Sequence, residues 1–182
     1  AMKEMGLRVP IMVQVTMETV GTMLLGTEMN AVITTLEALP VDVIGLNCAT
    51  GPELMRPHIE TLRENCTRYI SVQPNAGLPV LHEGRTHFPL GAAELAKAHV
   101  EFVLQFGVNI VGGCCGTTPE HIRAVATAVA NLQPAVRGAF GRKMDAAHAT
   151  VSSLYNAVDA RQDHSILISR GTHEHQWFQE IP

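Results

Sequence analysis

Apolar positions cluster into short runs at residues 9–16, 41–48, 69–73 and 108–112, each rich in Val, Ile and Leu. None of these runs alternates strictly between apolar and polar, so each predicts a strand buried on both faces. Longer segments of helical character lie between them. Residues 19–39 end at Pro40, 53–65 follow a Gly-Pro start, 92–106 stop at Gly107, and 120–132 follow Thr118-Pro119 and end before Pro134. Proline in a first helical turn and glycine or proline beyond the last one is the expected punctuation. The segment Thr50-Gly51-Pro52-Glu53 also has capping-box spacing, with either Thr50 or Gly51 as the N-cap. Strand and helix alternate throughout, which predicts an α/β fold whose parallel strands are joined by right-handed crossovers.

Four such βα units make half of a (βα)8 barrel, which typically takes ~250 residues. A half-barrel leaves two strand edges unpaired and its inner face open, so self-association through those edges is expected. From about Pro134 the texture changes. Residues 137–148 are polar and rich in Gly and Ala, 151–158 form a short apolar patch, and His164, His173 and His175 follow. The expected division is a half-barrel at 1–134 and, at 135–182, a linker with a piece of something else.

Composition narrows the function. Of 182 residues, 46% are hydrophobic and 16% charged, the pattern of a core-forming chain. The net charge is −4 and no dense basic run occurs, which argues against nucleic acid and anionic membrane as partners. Aromatic residues are only 4%, which removes any stacking platform for single strands. No stretch is apolar for the ~20 residues that a bilayer span needs, and the first ten residues are too charged for a signal peptide. A soluble, cytoplasmic protein is expected. Its four cysteines, Cys48, Cys66, Cys114 and Cys115, are too few for a disulfide scaffold and suit metal binding or catalysis better.

Cys48 closes the second strand and Cys114-Cys115 close the fourth, both before turns into helices. In a parallel α/β barrel the C-terminal strand ends share one rim, so these thiols can be neighbours in space. Three protein ligands leave a tetrahedral Zn2+ one coordination position for substrate, the pattern of a catalytic site. The helix starts that follow point partial positive charge at the rim and favour thiolates, and Gly112, Gly113 and Gly116 let adjacent cysteines turn toward one ion. Two other readings stay open: cysteines as small buried hydrophobes, which suits Cys66 in its helix end, and a redox vicinal pair.

Three segments carry a resemblance. Gly-Gly-Cys-Cys-Gly-Thr-Thr-Pro-Glu-His-Ile at 112–122, Gly-Leu-Asn-Cys-Ala-Thr-Gly-Pro-Glu at 45–53 and Pro-Asn-Ala-Gly-Leu-Pro at 74–79 resemble the homocysteine-binding barrel of the zinc-dependent homocysteine methyltransferases. Gln-Val-Thr at 14–16, Met-Leu-Leu-Gly-Thr-Glu at 23–28 and Val-Ser-Ser-Leu-Tyr-Asn-Ala-Val at 151–158, with Arg161-Gln162, are similar to the cobalamin-dependent methionine synthase branch. The resemblance implies the C-terminal half of the barrel, with Cys48, Cys114 and Cys115 holding the Zn2+ that binds the homocysteine thiol. It also implies methylcobalamin, bound by another domain, as methyl donor. The N-terminal half-barrel and the cobalamin and folate modules would lie outside this fragment, and 135–182 would run toward a pterin-binding module. Two alternatives are a non-catalytic zinc-binding half-barrel that needs a partner half, and a family member using a betaine-type or sulfonium donor.

Further residues are weighed beside these. Asn75 follows the third strand at the same rim, where its carboxamide oxygen could orient substrate or fill the zinc position left without one; a plain turn is the alternative. Asn47, on strand alternation, points away from Cys48 and is expected to satisfy backbone groups. Glu18 is expected to be a loop carboxylate, and His121 to cap its helix or face solvent. The glycines at 21 and 26 lack the lysine of a phosphate loop and sit in the expected first helix, so nucleotide binding is rejected. The His173-Glu174-His175 tail reads as ordinary polar surface.

Overall fold

The computed structural model describes residues 5–6, 9–133, 135–136, 148–161, 166–172 and 175–181. In chain order the elements are β1 (Met12–Val15), α1 (Met29–Glu37), β2 (Val43–Asn47), α2 (Pro52–Asn65), β3 (Tyr69–Gln73), β4 (Val80–His82), β5 (Arg85–His87), α3 (Ala92–Phe106), β6 (Ile110–Val111) and α4 (Pro119–Val129). β7 (His148–Ser152), β8 (Ala157–Arg161), β9 (Ile166–Thr172) and β10 (His175–Ile181) follow. Strands β1, β2, β3 and β6 form one parallel sheet in that order. The α/β class and the parallel order follow the sequence pattern.

Period-two alternation divides the sheet into two faces. Ile44, Leu46, Ile70 and Val72 face the core, packed with Met55, Ile59 and Leu62 of α2, Phe102 and Phe106 of α3, and Val32 and Ile33 of α1. The other row is polar: the Gln14 carboxamide donates to the Ser71 hydroxyl at 2.9 Å, and the Thr16 hydroxyl to Asn47 Oδ1 at 3.3 Å. The central strands β2 and β3 are buried on both faces as expected, Val43 and Ser71 included, although polar groups share the second face, and the flanking β1 and β6 are less buried. Asn47 answers a neighbouring side chain where backbone partners were expected.

Other expectations change too. The helix expected over 19–39 is shortened to α1, because 18–27 folds into consecutive turns, with Gly21 and Gly26 at φ 87° and 91°. Glycine supplies those left-handed positions cheaply and breaks a helix at the same time. The phosphate-loop-like glycines thus lie in turns and not in a helix. Gly51, not Thr50, is the N-cap of α2. A hairpin, β4–β5, arises where none was expected, around Glu83 and Gly84 at φ 47° and 73°, the two positive values of a type I′ turn.

Beyond α4, the linker expected after residue 134 contains two antiparallel hairpins, β7–β8 and β9–β10. The first is joined to the parallel domain: Glu28 N–H donates to Tyr155 O at 2.9 Å, and the Thr35 and Ser152 hydroxyls lie 3.2 Å apart. Residues 137–147, His164, His173 and Glu174 lie outside the described residues.

Candidate metal centre

The sequence places Cys48 at the C-terminal end of β2 and Cys114-Cys115 past β6, with β3 between those strands in the sheet. The loop after β3 ties the two cysteine segments together. Cys48 N–H donates to Gln73 O at 3.1 Å, Asn75 N–H to Thr50 O at 3.1 Å, Cys114 N–H to Pro74 O at 2.8 Å and Ala76 N–H to Cys115 O at 2.9 Å. Pro74–Ala76 thus bridges the two segments through its main chain. The approach is close enough that a Cβ on Gly51 would lie 2.9 Å from the Gly77 Cα, which explains glycine there.

The result brings three sulfurs together. Cys48 Sγ lies 3.5 Å from Cys115 Sγ, Cys115 Sγ lies 3.9 Å from Cys114 Sγ, and all three are within 4.8 Å of one another. Zinc–thiolate bonds of about 2.3 Å at tetrahedral angles put sulfurs about 3.8 Å apart. The cluster therefore fits a divalent cation of that size and softness. Cys66, by contrast, is buried at the end of α2 and belongs to the core.

Local backbone makes this possible. Cys48 and Ala49 both adopt left-handed conformations, φ 60° and 55°, which carries the chain out of β2 and swings the sulfur toward the partner loop. Such conformations cost of order 1 kcal/mol or more for residues with a Cβ. On the other loop, a Cβ on Gly113 would meet Thr117 at 2.2 Å, and Thr117 in turn donates its hydroxyl to Cys114 O at 2.6 Å.

The thiols differ in acidity. A main-chain bond from Ala49 holds Cys48 below the ordinary thiol value against partial burial, with smaller help from Cys115, Cys114 and Asn75. Burial, with the neighbouring Cys48 and Cys115 sulfurs, pushes Cys114 up to about 11. A first negative charge is welcome in the cluster and further ones are not, until a cation offsets them.

Asn75 is 3% exposed, and its carboxamide oxygen accepts from Cys115 N–H at 3.0 Å. Glu18 lies in the turn after β1, half-buried, with its backbone paired to Thr22 and Gly21. His121 caps α4: Nδ1 accepts from Thr118 N–H at 3.3 Å, so Nε2 carries the proton and donates to Leu90 O at 2.9 Å. Sequence reasoning passed over His99, whose Nε2 lies 2.7 Å from Gly112 O. The available signal was a histidine on the apolar stripe Leu95, Phe102, Phe106 of α3, where an unpartnered polar ring would be costly.

A parallel α/β domain presents three converging thiols at its strand ends, a donor set that could hold a metal ion. Residues 1–129 match the family model described as homocysteine S-methyltransferase, and the chain belongs to that family. Methionine synthase of Mycobacterium tuberculosis is 48% identical over 168 residues, and that of Mycobacterium leprae 47%. Each alignment covers 92% of this chain and 14% of the relative, so the chain spans about a seventh of the length of those proteins. Among the described residues, no helix is long and apolar enough to cross a membrane.

Proposed function

We propose that Cys48, Cys114 and Cys115 hold Zn2+ and that the site serves methyl transfer to the thiol of homocysteine, giving methionine. The observation that carries this reading is the convergence of three sulfurs from two strand-end loops within 4.8 Å. Zinc bound there supplies Lewis acidity that favours the thiolate of an incoming thiol, whose ordinary pKa is about 8.5. The chain contributes charge: three thiolates outweigh a dication, so the substrate sulfur keeps the electron density that attack on a methyl group needs. In the transfer the sulfur forms a bond to carbon, the donor keeps the electron pair of the bond that breaks, and the thiol proton passes to solvent.

Asn75 supports this reading by fixing the Cys115 amide, and we assign it the role of orienting the substrate from between the two cysteine loops. Methylcobalamin is the proposed methyl donor, supported by the likeness to methionine synthases. The four-stranded sheet is read as the C-terminal half of a (βα)8 barrel covering 1–134, and 135–182 as the approach to a pterin-binding module. In this reading the N-terminal half-barrel and the cobalamin and folate modules complete the enzyme.

Metal analysis of the chain and of Cys48→Ala, Cys114→Ala and Cys115→Ala tests the ligand set. About one zinc per chain is expected, and each substitution should abolish it. Full zinc retention by all three variants overturns the assignment. Methionine formation from homocysteine and methylcobalamin, with the N-terminal half added in trans, tests the reaction; zinc binding without turnover in that mixture would make the site non-catalytic.

A further inference from the structure

We propose that His99 of α3 is a positioning residue for the Cys114-Cys115 pair, acting through the carbonyl of Gly112. This rests on the metal-holding reading of those cysteines. His99 is fully buried, and its Nε2 lies 2.7 Å from Gly112 O. A carbonyl only accepts, so Nε2 carries a proton and donates it; burial keeps the ring neutral, pushing the imidazole down to about 4.

The placement is what gives the bond leverage. Strand β6 pairs with β3 only through Ile110 and Val111. At Gly112 the N–H still reaches Val72 O at 3.2 Å, and two residues later Cys114 N–H has moved to Pro74 O. Between those anchors the chain leaves the sheet, and the Gly112 carbonyl is turned onto α3. His99 therefore fixes the Gly112–Gly113 peptide, one peptide ahead of the one that carries the Cys114 N–H. Its ring is held in turn by an edge contact with Phe102, centroids 5.8 Å apart at 88°.

The arrangement is costly for packing alone. His99 Nδ1 is buried without a partner, so the ring carries an unmade hydrogen bond that Phe or Leu at the same position would not. A residue serving only to fill the α3 stripe would avoid that cost. The return is an N–H donor at a point where the apolar stripe Leu95, Phe102 and Phe106 offers none.

The test compares His99→Phe, which keeps a ring and removes the donor, with His99→Gln, which restores an N–H at similar reach. Two measurements use the whole chain. In the metal-free chain, dibromobimane bridging of Cys48 to Cys115, mapped by peptide mass spectrometry, reads the loop without any metal. Zinc affinity by chelator competition reads the assembled site. His99→Phe should retain its melting temperature, lose most of the bridging and bind zinc at least about tenfold more weakly, while His99→Gln restores both.

Wild-type bridging and zinc affinity in His99→Phe would overturn the proposal, as would a folded His99→Gln that restores neither. If His99→Phe does not fold, the wild-type chain decides by NMR: a through-bond coupling from His99 Nε2 to the Gly112 carbonyl carbon is expected, and its absence overturns the proposal. A wild-type chain that bridges Cys48 to Cys115 and binds no zinc would defeat the metal reading while leaving His99 in its positioning role.

Discussion

Cys48 and Cys114 carry the same functional group in one cluster, yet their acidities shift in opposite directions from that of an ordinary thiol. Cys48 is lowered by the Ala49 amide, and Cys114 is raised to about 11 by burial and by its sulfur neighbours. A thiol alkylates as its thiolate, so in the metal-free chain iodoacetamide at pH 7 should label Cys48 well ahead of Cys114. Equal labelling rates, read by peptide mass spectrometry, would show that the cluster does not bias the first proton. His99 gives a second dependence on pH. Its folded value, about 4, lies below the ordinary 6.5, so the unfolded chain takes up the proton first as pH falls. The contribution of His99 to the stability of the metal-free chain is therefore fully present above pH 6.5 and is lost as pH falls from 6.5 toward 4, by roughly 3 kcal/mol over that window. Urea unfolding should show this slope in the wild type and its removal in His99→Gln; parallel curves would contradict it.

At the scale of elements, close approach matters more than propensity. Gly45 lies mid-strand in β2, and a Cβ there would sit 2.5 Å from the Ser71 carbonyl oxygen, a backbone atom with little room to yield. Gly45→Ala should cost roughly 1–3 kcal/mol by overpacking, visible as a lower urea midpoint at unchanged slope. The strands and the helices after Gly51, Gly91 and Thr118 were legible because hydrophobic runs and Gly-Pro punctuation are local signals. Residues 18–27 were not, because apolar Val20, Leu24 and Leu25 imitate a helix pattern while standing exposed in turns. Hairpin β4–β5 was hidden for another reason. Its turn uses Glu83 at φ 47°, a position where Asn is the recognisable residue. Glu83→Asn should stabilise the chain by about 0.5 kcal/mol, a rise of a degree or two in melting temperature.

For the whole molecule, the sheet ends at β1 and β6 without further partners among the described residues. Met12 and Tyr69 flank Val43 in one cross-strand row and are 45% and 53% exposed, so the polar face of the sheet carries an apolar strip at its N-terminal end. An edge strand beside exposed apolar surface recruits other chains. Light scattering should show association that grows with concentration, and Met12→Lys should reduce it without changing zinc content. A monomer at all concentrations would mean that the edges are protected in another way.

The sequence alone determined the α/β class, the strand-end address of Cys48 and Cys114-Cys115, and the family, because all three are written in local motifs and in the order of elements. Only the tertiary structure decided that the three sulfurs come within 4.8 Å of one another. It also decided that the β3 loop and Asn75 bind the two cysteine segments together, and that His99 reaches Gly112 from a different helix. Those facts depend on contacts between residues far apart in the chain, which hydrophobic periodicity does not encode: it says which face of an element is buried, and not what that face will meet.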